Sequence, residues 1–164
     1  GQGNDTLNGG LGTDTMTGGA GNDTYVLNTR LDRIIELRNE GTDTVQTTAN
    51  YTLGANLENL TLLGGSGISG TGNNGNNMIT GNIGSNTLLG GAGNDTLNAG
   101  KGNLDYMNGN GGNDTYLYSL GDGSDYMTDS NGLLNAGTAD LLKLDQNVDI
   151  AFWFNGNDLQ IGFK

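Results

Sequence analysis

The chain has no cysteine, so neither a disulfide framework nor a thiolate metal site is open to it. It has no histidine, which removes Ser-His-Asp and Cys-His nucleophile systems and histidine-ligated zinc. It has no proline, which with 32 glycines excludes collagen and proline-rich linkers. Basic residues are scarce. Six Lys and Arg against 18 Asp and Glu leave a net charge of −12, so nucleic acid is a poor partner. An anionic membrane is equally poor without bridging cations. Aromatics are 6% of the chain and apolar residues 33%, too few for a thick globular core. No apolar run reaches membrane length, and no signal peptide is visible.

What the chain does contain is one nine-residue unit, repeated. Its clearest copy is Gly90-Gly91-Ala92-Gly93-Asn94-Asp95-Thr96-Leu97-Asn98. Gly18–Val26 and Gly9–Thr17 are copies, and the chain opens at Gly1 inside another. Glycines at positions 1, 2 and 4 allow positive φ angles and a tight turn with converging carbonyls. Aspartate at position 6 adds a carboxylate to those oxygens. Position 8 is apolar between polar neighbours (Leu7, Met16, Tyr25, Leu97), the alternation of a short strand burying one side chain. Turn plus strand at a fixed period is a solenoid. Carbonyls plus carboxylates suit a hard cation, Ca²⁺ above all.

The unit resembles the repeats-in-toxin (RTX) nonapeptide, Gly-Gly-x-Gly-x-Asp-x-apolar-x. The resemblance implies a right-handed parallel β-roll, two repeats to a turn, with Ca²⁺ between a repeat and the one two further on. It also implies a secreted or cell-surface bacterial protein exported by type I secretion, whose export signal usually lies at the extreme C-terminus. A chain opening inside a repeat reads as an excised or cleaved fragment.

Two repeat blocks, 1–26 and 72–128, flank degenerate turns at 27–71. The roll is expected over 1–137 and capping strands over 138–164. In the middle, Asp32-Arg33-Ile34 and Gly41-Thr42-Asp43-Thr44-Val45 keep parts of the motif, and Leu53, Leu60 or Leu62, and Ile68 are candidate inward residues. A short helix at 31–39 is the alternative there. Asn56–Leu62 alternates and reads as a strand. In the second block, Asn77 and Asn86 replace aspartate, so these turns are expected to bind Ca²⁺ weakly or not at all and to bond from turn to turn instead. Leu104 is inserted before Asp105, and Gly121–Met127 is a last degenerate copy. At the end, Asn155-Gly156 between apolar runs predicts a hairpin closing the open end of the solenoid, with Trp153 in its core.

The expected metal-site residues are Asp5, Asp14, Asp23, Asp95, Asp105 and Asp114. Each acts with carbonyls of its own loop at positions 2 and 4: Gly1 and Gly3, Gly10 and Gly12, Gly19 and Gly21, Gly91 and Gly93, Gly100 and Gly102, and Gly112. Several Ca²⁺ ions are implied. Turn chemistry alone does not require a carboxylate at the same place in successive units. The chain reads as non-catalytic: a Ca²⁺-folded module giving rigidity to a secreted protein. The alternative is a self-assembling unit of a surface layer, adhesin or filament, stacking end to end through an open strand edge. An accessory module of a hydrolase or epimerase is less favoured. The threonines at position 7 fit strand propensity better than an ice-binding row.

Overall fold

The computed structural model describes residues 1–102, 104–119, 121–128, 141–144, 150–155 and 158–163, with side chains described up to residue 144. Among these residues there is no helix. The strands in chain order are β1 (Thr6–Asn8), β2 (Thr15–Met16), β3 (Thr24–Leu27), β4 (Arg33–Ile34), β5 (Thr44–Thr47) and β6 (Tyr51–Thr52). Next come β7 (Asn59–Leu62), β8 (Ser69–Thr71), β9 (Met78–Thr80), β10 (Thr87–Ala92), β11 (Thr96–Asn98) and β12 (Tyr106–Gly111). The last are β13 (Thr115–Tyr118), β14 (Tyr126–Thr128), β15 (Leu141–Leu144), β16 (Ile150–Asn155) and β17 (Asp158–Phe163).

Successive strands alternate between two faces. The odd strands from β1 to β15 form one parallel sheet in sequence order. The even strands β6 to β14 form a second parallel sheet, and β2 pairs with β4 in parallel. Each turn of the solenoid therefore uses two strands and two loops. Thr6 pairs with Thr24, two nonapeptides later, as the repeat predicts.

The register stacks position 8 on position 8. In the odd sheet Leu7, Tyr25, Val45, Leu60, Ile79, Leu97, Tyr116 and Leu142 form one inward column. From Tyr25 to Tyr116 that column is fully buried. Leu88, Met107 and Met127 face it from the even sheet. The core is thus one side chain deep from each face, which is how a chain this poor in apolar residues closes one. Full burial of such a side chain is worth about 1.5–3 kcal/mol.

The degenerate span is solenoid, not helix. β4, β5 and β6 occupy it, and Ile34 and Val45 take the inward places. Leu53, Leu60 and Leu62 are all buried and Ile68 is partly buried. The strand expected over Asn56–Leu62 begins only at Asn59, because Asn56 has a φ of 63° and turns the chain. Gly70 holds an inward place in β8. A Cβ there would lie 3.0 Å from Leu60 Cδ2 and 3.2 Å from Ile79 Cγ2, so the facing leucine fills that space.

β16 and β17 form an antiparallel hairpin, with β17 beside β14 at the C-terminal end of the even sheet. The hairpin turn at 156–157 and the side chain of Trp153 lie outside the described residues.

Candidate metal centre

Position 6 of each repeat ends the loop immediately before a strand, so parallel stacking places successive position-6 residues one above another. In the loops before the odd strands the backbone N–H of Asp5 donates to Asp23 Oδ1 at 2.7 Å, and that of Asp23 to Asp43 Oδ1 at 2.8 Å. Asp43 N–H donates to Glu58 Oε2 at 2.8 Å. Further on, Asn77 N–H donates to Asp95 Oδ1 at 2.7 Å and Asp95 N–H to Asp114 Oδ1 at 2.8 Å. In the loops before the even strands the pairs are Asp14 to Asp32 at 3.1 Å, Asn86 to Asp105 at 2.6 Å and Asp105 to Asp125 at 3.0 Å. One oxygen of each accepting carboxylate is thereby fixed by the turn below it.

At many of these positions a second oxygen stays open. Oδ2 of Asp14, Asp23, Asp32, Asp95, Asp105 and Asp125 is buried and accepts no hydrogen bond. A buried orphan carboxylate oxygen is costly, and a column of them also repels itself. Burial pushes the Asp95 carboxyl up to about 7, opposed by the Asn77 N–H and reinforced by the charge of Asp114. Asp125 is likewise raised to about 7, by burial first, and Asp105 is raised for the same reason. The one ion pair among the described residues joins the N-terminal ammonium to Asp5 at the roll's exposed end. A hard cation with oxygen ligands is the group that fits rows of buried, unpartnered carboxylate oxygens.

The glycines divide by reason. Positions 2 and 4 take positive φ, as at Gly19 (91°) and Gly93 (104°). There the backbone presses on the loop one turn below: a Cβ on Gly19 would lie 2.5 Å from the Gly1 carbonyl oxygen. Position 1 differs from expectation. Gly9, Gly18 and Gly90 do not have positive φ. Glycine is required there for space, since a Cβ on Gly90 would meet Asp95 Oδ2 and lie 2.6 Å from the Gly109 carbonyl. Among the expected loop glycines, Gly3, Gly10, Gly12, Gly21, Gly91, Gly100 and Gly112 also have positive φ, whereas Gly102, in the loop carrying the inserted Leu104, does not. Asp105 nevertheless keeps its place in the ladder.

The asparagine loops close on themselves. Asn77 Oδ1 accepts from Asn73 N–H at 2.7 Å, and its Nδ2 donates to the Leu57 carbonyl at 3.0 Å. Asn86 Oδ1 accepts from Asn82 N–H at 2.8 Å, and its Nδ2 donates to the Ile68 carbonyl at 3.1 Å. Asn73 and Asn82 each donate Nδ2 to two carbonyls one turn below, at 2.7 and 3.0 Å respectively. The turn-to-turn bonding expected of these asparagines is present, directed to backbone carbonyls. An amide here satisfies groups of the kind that remain open in the aspartate loops.

Three aspartates of the degenerate copies lie outside the expected site set. Asp32, Asp43 and Asp125 belong to the ladders, although their local sequences are degenerate. Their signal is the one-turn spacing from Asp14, Asp23 and Asp105. Position 5 also carries a ladder, running the opposite way. Asn22 N–H donates to Asn4 Oδ1, Asn94 N–H to Asn76 Oδ1 and Asn113 N–H to Asn94 Oδ1, each at 2.8 Å. The recurring asparagine at that position is visible in the sequence.

A parallel two-sheet roll with stacked glycine loops and rows of open buried carboxylates defines a calcium-binding repeat solenoid. Residues 1–25 and 71–103 match the RTX calcium-binding nonapeptide repeat in four copies. No curated protein matches the chain.

Proposed function

We propose that the chain is a Ca²⁺-switched folding and stiffening module of a secreted bacterial protein. Calcium binding is the property of the repeat family; the switch, the sites and the secretion are our reading. One observation supports it above the others: Asp23, Asp32, Asp95, Asp105 and Asp125 are each held by one carboxylate oxygen and left open at the other, in register, and among the described residues no lysine or arginine pairs with them. Without metal this arrangement opposes folding, through desolvation and mutual repulsion. With metal the same groups become ligands, and binding free energy becomes folding free energy. In low cytosolic Ca²⁺ the acidic chain stays largely unfolded, suited to export; at the millimolar Ca²⁺ of extracellular modules it folds.

The proposed ligands are the carboxylates of Asp5, Asp14, Asp23, Asp95, Asp105 and Asp114 with carbonyls of their loops. The rigid roll, with no histidine or cysteine nucleophile in the chain, serves as a non-catalytic element. The test is far-ultraviolet circular dichroism during a Ca²⁺ titration after EGTA stripping, with Mg²⁺ as control. A cooperative coil-to-strand transition with Ca²⁺ alone supports the switch. A full strand spectrum in EGTA overturns it.

A further inference from the structure

Glu36 belongs to no nonapeptide, yet it is buried, at 8% exposure. It lies after β4, in the degenerate span that the repeat family does not match. Its backbone carbonyl accepts from Asn56 Nδ2 at 2.9 Å, which pins the segment in place. Its Oε1 accepts from the Tyr25 hydroxyl, which is itself fixed by the Gly18 N–H at 2.7 Å. Its Oε2 is buried and has no hydrogen-bond partner. Beside it stand Asp23 and Asp43, each 1% exposed. One carboxylate oxygen from each of the three lies within 4.8 Å of the others. Asp23 Oδ2 is also without a partner, and among the described residues no lysine or arginine pairs with any of the three.

Three carboxylates converging in a buried space with two orphaned oxygens are not a satisfied acidic network. A proton shared between the two orphans leaves two negative charges buried together. A divalent cation answers both oxygens and offsets two of the three charges. Mg²⁺ demands near-ideal octahedral geometry and gives up its waters reluctantly, whereas Ca²⁺ accepts irregular sets of protein oxygens, so a buried carboxylate trio suits the larger ion. We propose that Asp23, Glu36 and Asp43 form a divalent-cation site of their own, outside the repeat consensus, that takes Ca²⁺ in preference to Mg²⁺. A consensus site between two stacked loops gathers at most their two position-6 carboxylates, with neutral backbone oxygens. This site gathers three carboxylates, and affinity rises with ligand charge. It is therefore the tightest site in the chain and the first to fill. Glu36 supplies from a distant position what a glycine loop would otherwise have supplied.

The site shares Asp23 with the repeat-loop reading, so the diagnostic residue is Glu36. The probe is Ca²⁺ itself, counted by equilibrium dialysis with metal analysis and titrated against a competing chelator. The wild type is compared with Glu36→Gln and with the combined Asp95→Asn, Asp105→Asn, Asp114→Asn variant. Glu36→Gln is expected to lose the tightest equivalent, or to weaken it about tenfold or more, as one ligand charge is removed. The combined variant is expected to retain that equivalent while losing weaker ones. If Glu36→Gln binds with the count and affinities of the wild type, the proposal is overturned. If only Glu36→Gln loses an ion and the combined variant loses none, this site stands and the repeat-loop reading fails. Tyr25→Phe gives a second test should Glu36→Gln not fold. Tb³⁺ at this site is excited through the adjoining phenol, so Tyr25→Phe is expected to lose most of the tyrosine-sensitised emission of the first equivalent, with the metal count unchanged. Undiminished emission overturns the proposal.

Discussion

Replacing Asp95 by asparagine is expected to move stability in opposite directions with and without calcium. The substitution conserves shape and keeps the oxygen that accepts the Asn77 N–H. It removes the charge on a residue that is 1% exposed. In the metal-free roll burial holds the Asp95 carboxyl at about 7, while an unfolded aspartate titrates near ~3.9. Three units at about 1.4 kcal/mol each set an upper bound near 4 kcal/mol on what ionising Asp95 costs the fold above pH 7. Allowing for relaxation, roughly 2 kcal/mol is expected back on substitution, or about 4–8 °C of Tm for a domain of this size.

In calcium the sign reverses. A site filled at a hundred times its Kd contributes about 2.7 kcal/mol, and a variant whose site has lost its carboxylate forfeits most of that. The assay is thermal denaturation by circular dichroism at pH 7.5, in EGTA and in excess Ca²⁺, with a repeat near pH 3. There, below both values, Asp95 is protonated in the folded and the unfolded chain, and the gain should vanish. A lower Tm in EGTA would refute the reasoning, because it would show that the Asp95 charge is satisfied without metal.

The same shifts fix the pH dependence of the metal-free protein. Asp95 and Asp125 are raised to about 7, and Asp43, Asp105 and Glu36 are raised as well, so between the unfolded and folded values the roll binds more protons than the unfolded chain. Stability in EGTA should be greatest near pH 4 and fall as pH rises through about 7, read as Tm against pH; a rise over that range would contradict it. Asn86→Ala should cost about 1–3 kcal/mol equally with and without Ca²⁺, since it deletes an amide whose bonds lie within the protein. Asp95→Ala should instead weaken the Ca²⁺ response far more than Asn86→Ala, and equal effects in a Ca²⁺ titration would count against the division of loops. Leu60→Ala should lose about 2–5 kcal/mol by urea denaturation in saturating Ca²⁺, as Leu60 is fully buried between the sheets. Native-state hydrogen exchange in EGTA should find the strongest protection in β9 and β10, which follow the amide-closed loops.

The roll itself was legible because its period is local. Nine residues give one loop and one strand, and Leu7, Met16, Tyr25 and Ile34 state that spacing without knowledge of any partner. The carboxylates of the well-formed repeats were legible for the same reason. What escaped is what the turn decides and the repeat does not. Asp43 enters the ladder twenty residues above Asp23, and Glu58 follows only fifteen later, so one turn is lengthened and the next shortened. A window of nine cannot see either. Position-1 glycine was assigned correctly and explained wrongly: the sequence shows that a side chain is excluded, but only the stacked loops show that the cause is the carboxylate of the same repeat.

The division between aspartate and asparagine loops carries the larger consequence. Compared with the Gly90–Asn98 repeat, the asparagine loops have the same length and the same glycine at position 1; they differ at position 2, where Asn73 and Asn82 stand in place of Gly91, and by one atom at position 6. In an asparagine loop that atom is a donor and the loop finishes its own hydrogen bonding. In an aspartate loop such as that of Asp95 it is an acceptor with no hydrogen-bond partner, and on the proposed reading a cation completes the loop. The asparagine loops come together in the middle of the chain, with aspartate loops on both sides. On the proposed reading, metal dependence is a property of the two flanking blocks, and the centre is expected to join them in register with or without calcium. A paired exchange at positions 2 and 6 would then set which turns of the solenoid answer to metal.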